Sequence, residues 1–119
     1  MKLTLVASDD TCTQVRVAER IGRELTSSSE PLGTLLGEGA YAKRVLLDLS
    51  DATFIDSTGV SWLIVCLKRF REGGGHFVLH SAPPLILKVL TAMQLPRVLD
   101  IAGTEAEARE MLLAGAKRK

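Results

Sequence analysis

In "FIDSTGVSWLIVCLKRF", residues 54–70, an acid and two hydroxyls stand where an apolar run gives way to a helical pattern. Asp56-Ser57-Thr58-Gly59 admits three uses. Asp and Ser are good N-cap residues, because their side-chain oxygens accept from the free N–H groups of a first helical turn. A serine at a strand-to-helix corner is also where some hydrolases keep their nucleophile. That chemistry needs Gly-x-Ser-x-Gly and a histidine partner, and the residues here read Ile-Asp-Ser-Thr-Gly. The third use is modification: an exposed hydroxyl at a helix start can take a phosphate.

Other reactive residues fail on their surroundings. His76 and His80 fall on one face of an expected strand, but no third ligand accompanies them, and zinc needs three or four. No metal is expected. "GEGAYAKR" precedes a strand instead of a helix and lacks the Lys-Ser/Thr ending of a phosphate loop, while Gly73-Gly74-Gly75 reads as a helix stop. No cofactor is expected either. A response-regulator receiver domain is the rival from another class, with Asp9-Asp10 after the first strand and Asp48 as phosphoacceptor. Against it, Lys88 sits inside the helical stretch "PLILKVLT", and the second element reads as a strand where a receiver needs a helix.

The chain has 119 residues, enough for one domain with a hydrophobic core, and neither a domain boundary nor an internal repeat is visible. Fifteen basic residues oppose fourteen acidic ones, so nucleic acid and direct membrane contact are not expected. Lys117-Arg118-Lys119 reads as a frayed, solvated end. "MKLTLVAS" lacks the apolar core and cleavage site of a leader, and nothing approaches a membrane-spanning length. Cys12 and Cys66 read as free thiols of a reducing compartment, which places the protein in the cytoplasm. Cys66 is expected to pack as a small hydrophobe.

The elements that must position the Asp56–Gly59 corner follow from periodicity. "LTLVA" and "CTQVRVAERI" alternate around Asp9-Asp10 as an antiparallel hairpin. A loop with at most a short helix from Glu30 to Leu36 follows, capped by Ser29. Arg44–Ser50 and "HFVLHS" read as buried strands, with a helix from Thr58 to Arg71 between them. Val60, Leu63, Ile64, Leu67 and Phe70 would face the sheet, leaving Trp62, Cys66 and Arg69 on another face. Trp62 is then either a docking anchor or a packing residue. Pro83-Pro84 opens a helix to Met93 whose apolar content is Leu85, Leu87, Val89 and Leu90; "RVLDI" is a short strand. Thr104 with Glu107 forms a capping box for the last helix. Helices between successive strands imply right-handed crossovers. The fold class is α/β: one small domain with a mostly parallel sheet of four to five strands, an N-terminal antiparallel hairpin and helices mainly on one face.

From "LLDLSDATFIDSTGVSWLIVCLKRF" onward the chain resembles a STAS domain of the bacterial anti-sigma factor antagonist family. The shared pattern is an apolar strand ending in Asp-Leu, a connector (here Ser50 to Thr53), Phe54-Ile55, and Asp56-Ser57-Thr58-Gly59 opening a helix. The likeness is clearest over residues 44–113 and takes in "HSAPP" and "TEAEARE"; Gly22 matches a glycine that usually follows the second strand. Val60-Ser61-Trp62 replaces the family's commoner Leu-Gly-aliphatic. The resemblance implies a single STAS domain over residues 1–119 that is not an enzyme. Its implied role is to bind an anti-sigma factor, a GHKL-type serine kinase, and be switched off by phosphorylation of Ser57. Asp56, Ser57, Thr58, Gly59, Ser61, Trp62 and Arg69 would form the docking surface. A PP2C-type phosphatase would reset a chain that is a monomer or weak dimer. Two rivals share the fold: a stressosome scaffold subunit, and an accessory subunit of a lipid or anion transporter.

Overall fold

A computed structural model describes residues 2–8, 12–22, 35–37 and 39–115. The Asp9-Asp10 turn, most of the expected helix from Glu30 to Leu36 and the basic tail lie outside the described residues. Among the described residues, five strands and three α-helices follow in order: β1 (Lys2–Ser8), β2 (Thr13–Ile21), β3 (Arg44–Ile55), α1 (Ser57–Gly73), β4 (His76–His80), α2 (Pro84–Ala92), β5 (Asp100–Ala102) and α3 (Glu105–Gly115). The sheet order is β1-β2-β3-β4-β5. β1 and β2 are antiparallel, and every later neighbour is parallel.

Strand alternation divides the apolar run in β3 between two cores. Val45, Leu47 and Leu49 join Val15, Val17, Phe77 and Leu79 on the face covered by α1 and α2. Leu46 joins Val78, Ala102 and Cys12 on the opposite face, under Ala108 and Leu112 of α3. Cys12 and Cys66 are buried, reduced and separated by the sheet. Two helices on one face and one on the other give the asymmetric packing expected from the sequence.

Three details depart from the sequence reading. Ser50 to Thr53 is no connector: β3 runs unbroken to Ile55, because β2 stays paired with it that far. The buried stripe of α1 is Gly59, Trp62, Leu63, Cys66 and Phe70, with Val60 beside it. The helix is thus turned toward Trp62, which is buried, and away from Ile64, which is exposed. In α2 the sheet takes Ile86 and Leu90, one turn apart, and leaves Leu85 and Leu87 outside. Thr104 caps α3 as expected, its Oγ1 accepting from the Glu107 N–H at 3.2 Å, while the Glu107 carboxylate accepts from the Thr104 hydroxyl at 3.3 Å.

Beneath α3 the second face carries a polar cluster. The carboxylate of Asp48 accepts from Arg16 Nε at 3.2 Å and from the Ser50 N–H at 2.9 Å. Burial works against its charge, yet the Ser50 and Arg16 bonds win and hold Asp48 below its ordinary 3.8. His80 lies beside it, 1% exposed, with Nδ1 on Ser81 Oγ at 2.8 Å and no partner for Nε2 among the described residues. Burial pushes the His80 pKa below 6.5, against the opposing pull of Asp48.

A depressed histidine pKa means that the unfolded chain binds the proton more tightly. Stability is therefore full above pH 6.5 and is lost as pH falls from there through the folded value. Asp48 titrates below this window. Urea unfolding at pH values from about 7.5 down to about 5 is expected to show falling stability in the wild type and a flatter profile in His80→Gln. Equal slopes would show that His80 is not the proton-linked group.

Candidate functional site

α1 starts where two parallel strands end together. Asp56, in an extended conformation with φ −105°, is its N-cap; its Oδ1 accepts from the Gly59 N–H at 3.0 Å. The Asp56 N–H in turn donates to the Ile21 carbonyl at 3.1 Å, tying the helix start to the last residue of β2. Two glycines make this approach possible. A Cβ on Gly59 would overlap the Ile21 carbonyl, and one on Gly22 would overlap the Asp56 carboxylate. Gly22 also has φ +151°, which side chains rarely tolerate.

The corner is electrostatically asymmetric. Arg20 Nε lies 3.5 Å from Asp56 Oδ2, and its guanidinium stands 5.0 Å over the Phe54 ring. The first turn of α1 contains no acidic residue after the cap, so the positive end of its dipole has only Asp56 as an anion of its own. Ser57 is the first helical residue and is exposed, as are Thr58 and Ser61. A hydroxyl here is open to a bulky reagent, and an anion attached to it would meet a favourable field.

Asp56, Ser57, Thr58 and Ser61 thus share one surface, with Gly59 beneath them as a backbone donor. Trp62 does not join them, because it is 5% exposed and packs in the core. Arg69 lies roughly 18 Å farther along the helix axis. It is engaged there by Tyr41, donating to the phenol oxygen at 3.4 Å and stacking at 5.6 Å. Sequence reasoning missed Arg20, which nothing in "VAERI" distinguishes from a solvated charge. Gly22 was visible only as the glycine that follows the second strand in the family pattern. Asp48 is excluded as a surface phosphoacceptor, being buried and ion-paired. The strand order also differs from the 2-1-3-4-5 of the flavodoxin-like sheet that a receiver has.

A sequence model of the STAS domain matches residues 4–108. Candidate anti-sigma factor antagonists of Thermotoga maritima and Thermotoga neapolitana are 34% and 36% identical over 67 residues. That stretch is 56% of this chain and 59% of each relative, so the match spans little more than half of their length. Among solved structures, a candidate antagonist from Thermotoga maritima superposes with a TM-score of 0.67 at 23% identity, covering 94% of this chain and 93% of that one. The antagonist SpoIIAA in its unphosphorylated form gives 0.67 at 14%, covering 96% and 99%. An anti-sigma-factor antagonist domain protein from Planctomyces limnophilus gives 0.70 at 22%, covering 93% and 97%. At these identities the structural likeness speaks for the fold alone.

Gly22 and Asp56 together provide a direct check on the corner. Gly22→Ala is expected to cost about 2 kcal/mol or more in urea unfolding, because it adds strain at positive φ to a clash with Asp56. Asp56→Ala alone should cost about 1 kcal/mol, the usual value of a lost N-cap. The double variant should be more stable than the sum of the two predicts, since the clashing carboxylate is gone. Strict additivity would mean that Gly22 and Asp56 do not contend for the same space.

Proposed function

The chain belongs to the STAS domain family, and from that premise we propose that it is an anti-sigma factor antagonist switched at Ser57. Unmodified, it docks on an anti-sigma factor that is itself a GHKL-type serine kinase, and the sigma factor is released. The kinase moves a phosphoryl group from its nucleotide to Ser57 Oγ, displacing the hydroxyl proton, and the complex is lost. A PP2C-type phosphatase restores the hydroxyl. In this cycle the chain is ligand and substrate, works in the cytoplasm as a monomer or weak dimer, and carries no catalytic residue of its own.

One observation carries the reading: Ser57 presents an exposed hydroxyl as the first residue of α1, held there by the Asp56 cap. A phosphate brings roughly −1.5 to −2 charges and three strong acceptor oxygens. The helix N-terminus accepts such a group, so the fold is not where the cost falls. It falls on the partner, which would meet bulk and negative charge in the middle of its contact. The contact surface comprises Asp56, Ser57, Thr58 and Ser61, with exposed Ile64 as its apolar margin.

Affinity capture from native lysate, with phosphate mapped by mass spectrometry, is expected to recover a kinase with the wild type and with Ser57→Ala. Ser57→Asp should bind the purified kinase at least about 100-fold more weakly, or roughly 2.7 kcal/mol. Equal affinities for Ser57→Ala and Ser57→Asp, together with no phosphate at Ser57, would overturn the proposal.

A further inference from the structure

We propose that Arg20 is the receptor for the Ser57 phosphate: the guanidinium that now leans on Asp56 moves to the phosphate and fixes it over the docking corner. This rests on Ser57 being the modified residue and adds how the modified state is held.

The observation behind it is the path of β2. Arg16 stands opposite Asp48, but one residue is slipped by Ala18, opposite Asp51, and another by Arg20, opposite Phe54. Glu19, at the second slip, has φ +68°, an uncommon conformation for a residue with a side chain. Had the register of Arg16 continued, Arg20 would face Ala52, two residues short of Phe54. Bulges of this kind re-aim side chains, and here both slips carry one cation toward the start of α1.

What Arg20 meets at the end of that path is suited to a mobile counter-ion. The Arg20 guanidinium carbon lies 5.0 Å over the Phe54 ring, a support that takes up none of its N–H donors. At 3.5 Å the contact with Asp56 is an ion pair longer than a normal N–H···O bond, and the Arg20 side chain is 50% exposed. The Asp56 carboxylate is already committed through Oδ1 to the Gly59 N–H, so it does not need Arg20 to keep the cap. A phosphate on the next residue offers more charge and a geometry that matches the guanidinium fork. Once held there, it cannot swing away from the surface where the partner would sit.

The test uses the full chain with phosphoserine installed at position 57 during translation, so no kinase is required. Phosphorus NMR titration follows the second ionisation of the phosphate, ordinarily near pH 6. In the wild-type chain it is expected roughly one pH unit lower than in Arg20→Gln, with Arg20→Lys in between. The helix dipole acts equally in all three, so the difference isolates the cation. Within the wild type alone, the Arg20 Nε–H resonance should shift on phosphorylation, a readout that needs no variant. Coincident titrations of wild type and Arg20→Gln, or an unmoved Arg20 resonance, would overturn the assignment. A cellular chain without phosphate at Ser57 would instead sink the proposed function and leave these titrations as they are.

Discussion

The structure depends on one close approach: the first turn of α1 lies against the end of β2. The Asp56 N–H bonded to the Ile21 carbonyl fixes the distance, and Gly22 and Gly59 remove the side chains that would prevent it. Backbone groups at that depth must find partners, and the N-cap carboxylate and the strand carbonyl provide them. Because α1 is pinned at its start, its buried stripe is fixed over the sheet and its first exposed hydroxyl is fixed in space.

The sheet separates two kinds of interior. Above it, α1 and α2 close an apolar core in which Phe70 stacks on Phe77 at 5.2 Å. Below it, the small apolar cluster under α3 shares its face with Arg16, Asp48 and His80. Buried polar groups of this sort make the lower face sensitive to protonation. α1, with Ser57 at its start, belongs to the upper face.

The proposed phosphate at Ser57 would leave the bonds that fasten the start of α1 untouched. The cap bond to Gly59 and the strand bond to Ile21 involve neither Ser57 Oγ nor its neighbour Thr58. Modification can therefore alter what a partner meets without unfastening the helix. Arg20, brought up by the slips in β2, is a cation that the fold places against the cap.

Most of the fold was legible because its determinants are local. The alternation of "LTLVA" set the hairpin, the apolar run from Arg44 set a central strand, and Thr104 with Glu107 set the last helix start. "IDSTG" likewise carried its own capping chemistry. Less legible was anything set by contacts between distant segments. The rotation of α1 that buries Trp62 and exposes Ile64 depends on how closely its first turn meets Ile21, a residue more than thirty positions earlier. Leu85 and Leu87 lie off the single face of α2, carrying Ile86 and Leu90, that packs on the sheet. Arg20 reads in sequence as one more surface charge; only the slipped pairing of β2 with β3 sets it beside Asp56. Periodicity and capping act within a few residues of chain, so the sequence alone determined the elements and the chemistry of the corner. Register and helix rotation are settled by packing between segments, so only the tertiary structure decided which side chains meet there.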